Sequence, residues 1–171
     1  MSYLLAYVME KADESFSCWI IRNCGVDPDT RMKCSIRGPA PLDYYLTAYE
    51  LSIYLRLPTL ERYLGGIGCD LRNSKALCFV IDTLLNKKPI YDKNSVVRFG
   101  IDLLVRGINV DRILDVNLFA DAPRRSYRGD DFHFEIFPRN CNLRCREVIR
   151  KMAPTNPLFA SLNETIVAMA G

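Results

Sequence analysis

The chain has 171 residues, of which 49% are apolar or aromatic and 25% charged, enough to bury a core as one domain or a short repeat array. A net charge of +3, from 23 basic and 20 acidic side chains, is too mild to demand a nucleic-acid or membrane partner, and charges interrupt every apolar run before it reaches bilayer-spanning length. The opening residues carry neither a basic leader nor a small-residue cleavage site, and the seven cysteines lack Cys-x-x-Cys pairs. This predicts reduced, mostly buried thiols in a cytoplasmic or nuclear protein.

Residues 2–12 have helical spacing, with Leu4, Leu5, Val8 and Ala12 on one face. Ser15 to Asn23 reads as a second helix capped by Ser15, although its Phe, Cys, Trp and Ile content also suits a strand. From Asp27 to Pro41, prolines and glycines break the chain into a loop. Pro39 and Pro41 then fit the first turn of a helix running to about Leu55, because a proline there costs no backbone bond. Pro58 opens a short helix that stops at Gly65-Gly66. Ser74 caps the next, with Ala76, Leu77, Val80, Ile81, Leu84 and Leu85 inward, and Asn94 or Ser95 caps another, with Val96, Val97, Ile101, Leu103 and Leu104 inward.

One phrase punctuates this series three times: Gly25-Val26-Asp27-Pro28, Gly68-Cys69-Asp70-Leu71 and Gly107-Ile108-Asn109-Val110. A glycine past a helix closes it in the left-handed conformation, and the Asp or Asn two residues on bonds its own backbone to start a turn. The glycines recur at spacings of 43 and 39 residues, which marks three copies of one helical unit with inserts.

Residues 120–131 are polar and basic, with Arg124, Arg125 and Arg128, and read as an exposed loop; Phe132 to Phe137 alternates apolar and polar as an extended segment would. The tripeptide Arg128-Gly129-Asp130 matches an integrin ligand only by chance in a chain without a secretion signal. Val148, Ile149 and Met152, then Leu158, Leu162, Ile166 and Val167, form the apolar sides of two further helices.

Gly38-x-Ala40-Pro41-Leu42-Asp43 and Leu103-Leu104-Val105-Arg106-Gly107-Ile108-Asn109-Val110-Asp111 resemble the opening and close of an ankyrin repeat, with Ala40 and Asp43 in place of the usual Thr and His. Pro138, Arg139, Cys145, Arg146, Ile149 and Arg150, followed by Pro157, Leu158 and Leu162, resemble the SOCS box of the ankyrin-repeat and SOCS-box family; Cys141 and Arg144 stand where that box carries leucines. These resemblances imply an all-α fold: ankyrin-like helical hairpins over 1–118, a loop and extended segment over 119–137, and a C-terminal helical box or cap over 138–171. They further imply a protein-interaction module that recruits substrates to a cullin–elongin ubiquitin ligase. Cys141, Cys145 and Ile149 would then face elongin C, in its complex with elongin B, while Pro157, Leu158 and Leu162 approach the cullin. The plain alternative is that the two last helices only cap the stack.

Catalysis has little to draw on. The single histidine, His133, lies between two phenylalanines, and no local sequence gives it a nucleophilic cysteine. Cys141, Cys145 and His133 lack an evident fourth ligand for zinc, and Gly65-Gly66-Ile67-Gly68 lacks the Lys-Ser/Thr of a phosphate loop. No enzyme activity and no cofactor are therefore expected. Two other readings stand beside the adaptor: a viral or host-modulating ankyrin-like interaction protein with no ligase link, and a nucleic-acid-associated protein using Arg124, Arg125 and Arg128.

Overall fold

The computed structural model describes residues 1–34, 45–85, 92–114 and 143–171. Most of these are helical: eight helices accompany one two-stranded antiparallel sheet. The chain divides into two compact units, one of Met1–Ser35 and Tyr44–Ser74, the other including Lys75–Gly171. The expected third hairpin is thus grouped with the C-terminal helices.

In the first unit, a three-residue connection turns one helix back against the next when one residue leaves the right-handed region. Between α1 (Ser2–Glu10) and α2 (Glu14–Asn23) that residue is Ala12, with φ of 60°. Between α3 (Ala48–Tyr54) and α4 (Pro58–Gly66) it is Arg56, with φ of 55°. Both turns close with the same bonds: Ala12 N–H donates to Met9 O at 2.9 Å and Asp13 N–H to Val8 O at 3.3 Å, as Arg56 N–H does to Ile53 O at 3.2 Å and Leu57 N–H to Ser52 O at 2.9 Å. Two helical hairpins of one backbone design therefore precede the first two glycine stops.

Local chemistry explains where these helices start, and it corrects several boundaries. The Asp13 carboxylate accepts the Phe16 N–H at 3.0 Å, so Asp13 rather than Ser15 caps α2, which is a helix and not a strand. Leu5, Ala6, Val8 and Met9 are buried on α1, whereas Leu4 is exposed and Ala12 belongs to the turn. Met32–Lys33 forms β1 within the expected loop and pairs with Tyr45–Leu46 as β2, Met32 opposite Leu46. α3 begins after Thr47, whose hydroxyl accepts Glu50 N–H at 3.2 Å while the Glu50 carboxylate accepts Thr47 N–H at 3.0 Å. This capping box, not Pro39 or Pro41, sets the start; both prolines lie outside the described residues.

The second unit is built on α5 (Ala76–Leu85), all ten residues of which are buried. The hydroxyl of Ser74, the residue expected to cap it, donates to Glu50 Oε2 at 3.0 Å within the first unit. α6 (Lys93–Val105) packs on α5, and Asp92 caps it in place of Asn94 or Ser95, accepting Asn94 N–H at 3.1 Å and the Ser95 hydroxyl at 2.8 Å. Val96, Val97, Phe99, Gly100, Leu103 and Leu104 are buried there, with Ile101 only partly so. α7 (Cys145–Met152) packs on α5, and α8 (Pro157–Ala170) packs on both α6 and α7. The last two helices therefore cover the third hairpin.

Candidate functional site

The three glycine phrases are alike in conformation. Gly25, Gly68 and Gly107 have φ of 65°, 103° and 84°. After each, the Asp or Asn side chain accepts a backbone N–H two residues on: Asp27 from Asp29 at 2.9 Å, Asp70 from Arg72 at 2.9 Å, Asn109 from Asp111 at 3.0 Å. The third phrase has a further use. Arg144 gives α7 no side-chain cap, and the first free N–H groups of that helix are met instead by the segment after Gly107. Cys145 N–H donates to Arg112 O at 2.9 Å and Arg146 N–H to Val110 O at 2.8 Å, while the Arg146 guanidinium pairs with Asp111 at 3.0 Å. That guanidinium hydrogen bond holds the Asp111 carboxyl below its ordinary range.

Of the residues expected to face a partner, Cys145, Ile149 and Leu162 are each 0% exposed. Cys145 Sγ lies 3.8 Å from Cys78 Sγ of α5, and Leu162 sits where a Cβ on Gly100 of α6 would come within 2.8 Å of its Cδ2. Leu158 is half-buried, and Pro157 is exposed at the first turn of α8, behind the Asn156 cap. Cys141, His133 and the basic cluster Arg124, Arg125 and Arg128 lie outside the described residues. The apolar stripe of α7 therefore faces its own chain, while Arg144, Arg150 and Lys151 face solvent.

Four of the five exposed aromatic side chains among the described residues of the first unit lie on its first hairpin, the fifth being Tyr45 on β2. Tyr3 and Tyr7, one turn apart on α1, are 78% and 59% exposed; Phe16 and Trp19 on α2 are 41% and 53% exposed. Phe16 and Trp19 stack with ring centroids 5.8 Å apart and planes 26° from parallel. Ser17, Ile20 and Ile21 occupy the buried side of the same helix, so the aromatic pair is the solvent side of an amphipathic segment with its polarity inverted. Cations attend it: the Lys11 ammonium lies 5.4 Å from the Tyr7 centroid, and Arg22 lies 5.3 Å from that of Tyr63 on α4. The Asn23 side chain donates to Trp19 O at 3.0 Å. Sequence reading passed over these residues because Phe16 to Ile21 is mostly apolar; the signal was that Phe16 and Trp19 recur at three residues, beside the stripe of Ser17, Ile20 and Ile21.

In the folded chain four thiols are shifted away from reactivity. Burial pushes the Cys34 thiol up to about 12, and burial likewise raises Cys18 and Cys69. Cys145 is raised by its hydrogen bond to Cys78 and then by burial. A nucleophilic cysteine needs the opposite shift. Among the described residues, no three His, Cys, Asp or Glu side chains converge as a metal site, and no helix is long and apolar enough to cross a membrane. No protein-family model, curated protein or solved structure matches the chain.

Proposed function

We propose that this chain is a protein-interaction module of ankyrin-like helical hairpins that performs no chemistry itself and meets its partner through the aromatic face of its first hairpin. One observation carries the reading: four large aromatic side chains, Tyr3, Tyr7, Phe16 and Trp19, stand 41% to 78% exposed on two adjoining helices whose other sides are packed. Leaving stacked aromatic surface in water is unfavourable, and Trp and Tyr are the side chains that contribute most when such surface is buried against another protein. The two like turns at Ala12 and Arg56 and the three like glycine stops support the repeat architecture.

The adaptor form of this reading has to accommodate buried Cys145, Ile149 and Leu162, and that decides how it is tested. Ile149→Arg places a charge in the chain's own core and unfolds it, so loss of a complex in that variant says nothing about elongin. Co-purification of a cullin, which Pro157 and Leu158 would approach, should instead be read with Leu158→Arg, at a half-buried position, or with changes at exposed Pro157.

For the interaction surface, Trp19→Ala and a Tyr3→Ala/Tyr7→Ala pair are compared with the parent by proximity labelling, each with its melting curve. A partner enriched by the parent should weaken at least tenfold in both variants at unchanged melting temperature, since truncating a hot-spot aromatic costs about 2 kcal/mol or more. Retention of every partner by both variants removes this face from consideration.

A further inference from the structure

We propose that Cys78 and Cys145 are a site of reversible thiol oxidation, at which a hydroperoxide closes a disulfide between α5 and α7. The two sulfurs are 3.8 Å apart, in van der Waals contact inside the second unit, and both residues are 0% exposed. A disulfide needs about 2.0 Å between sulfurs, so bond formation has to draw this pair closer together. Cys18, Cys24, Cys34 and Cys69 belong to the first unit, and among the described cysteines only Cys78 and Cys145 lie within hydrogen-bond distance of each other.

The environment of Cys145 supplies both protection and a route. It is the first residue of α7, its N–H donates to Arg112 O at 2.9 Å, and Arg112 carries a positive charge near its sulfur. With α7 seated, the bond to Cys78 and burial hold the proton on Cys145, and the pair is inert. Opening of the first turn of α7 exposes the Cys145 thiol to water beside Arg112, Arg144 and Arg146, whose positive charge favours the thiolate. The thiolate attacks the peroxide O–O bond; its sulfur is oxidised to sulfenic acid, and the hydroxide that leaves takes up a proton to become water. The Cys78 thiolate then displaces hydroxide from that sulfur, forming the S–S bond and a second water after protonation. Overall two thiols lose two electrons and two protons, and hydrogen peroxide gains them as two waters. The bond closes a loop of 67 residues in sequence separation, so α7 can no longer leave α5 and the open ensemble is constrained.

The purified, reduced full chain is treated with hydrogen peroxide to completion, blocked with iodoacetamide, digested without reductant and mapped by mass spectrometry. The expected product is the Cys78 peptide joined to the Cys145 peptide, reversed by dithiothreitol, in a protein whose melting temperature is raised by several degrees. Cys78→Ala abolishes the cross-link; should that variant not fold, Cys145→Ser and the parent's own map decide. Recovery of either cysteine as the alkylated thiol or as sulfinic acid, a link from Cys78 to Cys141 or to a cysteine of the first unit, or a cross-linked product with no rise in melting temperature overturns the proposal.

Discussion

A Cβ added at Gly100 on α6 meets Leu162 Cδ2 at 2.8 Å and Val80 Cγ1 at 3.0 Å, so a glycine is what lets α8 lie against α6 at this point. Alanine is intrinsically better in a helix by about 1 kcal/mol. Overpacking a filled interior costs about 1–3 kcal/mol and wins here, because all three neighbouring atoms belong to two buried side chains, Leu162 and Val80, that cannot both move away. Gly100→Ala should therefore lower the stability of the chain by about 1–2 kcal/mol in urea unfolding. Combining it with Leu162→Ala should cost less than the two separate losses added, since the second change removes the atoms the first collides with. The same scale governs Asp111. Its carboxyl is held below the ordinary 3.8 by the Arg146 hydrogen bond, so it stabilises the fold above that pH and loses the contribution as pH falls through the lower folded value. Both side chains are open to solvent, 40% and 47% exposed, so screening keeps the effect small. Asp111→Asn should be slightly destabilising at pH 7 and indistinguishable from the parent near pH 2, by thermal melts at the two pH values.

Helix ends in this chain are often closed by residues distant in sequence, and this decides how much was legible. α4 has Leu57 at its N-cap and no side-chain cap of its own; the Leu60 N–H is met by Glu14 Oε2 at 2.8 Å, from the first turn of α2. Removing that acceptor by Glu14→Ala should cost about 1 kcal/mol, as for other lost caps, and Glu14→Gln, which keeps an acceptor oxygen, should recover most of it. The outcome is read as the difference in urea midpoint at constant slope. Nothing around Glu14 in sequence announces this task, since its partner lies 46 residues away. α4 itself was legible, because Pro58 and Gly65-Gly66 act locally. α3 was placed too early, on the fit of Pro39 and Pro41 to a helix's first turn, while the capping box of Thr47 and Glu50, an equally local signal, was the one that operated. The stripe Cys145, Ile149 and Leu162 was correctly seen as apolar, but spacing cannot distinguish a face turned to a partner from one turned to its own chain. Trp19 illustrates the reverse, an apolar side chain left outside because Ser17, Ile20 and Ile21 fill the inner positions of its helix.

At the scale of the whole molecule, the C-terminal helices complete the second unit. A helical hairpin in a repeat array cannot bury its apolar side alone and needs a neighbour on each open side. α5 is buried on every side, and Phe99, Leu103 and Leu104 of α6 are at most 1% exposed. α7 and α8 supply much of that cover through Cys145, Val148, Ile149, Met152, Phe159, Leu162 and Ile166. At roughly 1.5–3 kcal/mol for each large buried side chain, their removal forfeits on the order of 10 kcal/mol of transfer free energy, an upper estimate because the unfolded chain is itself partly collapsed. Domains of this size hold about 5–15 kcal/mol in total, so the loss matches or exceeds what the unit has to spare. A chain ending at Leu114 should therefore lose the cooperative structure of the second unit and expose Phe79 and Phe99, now both 0% exposed. The expected result is strong binding of a hydrophobic dye, aggregation at micromolar concentration and loss of helical circular dichroism beyond that of the deleted residues. A truncated chain that stays monomeric, binds no dye and keeps its remaining helix content would mean that the third hairpin is stable without this cover, and that α7 and α8 are retained for something other than completing the core.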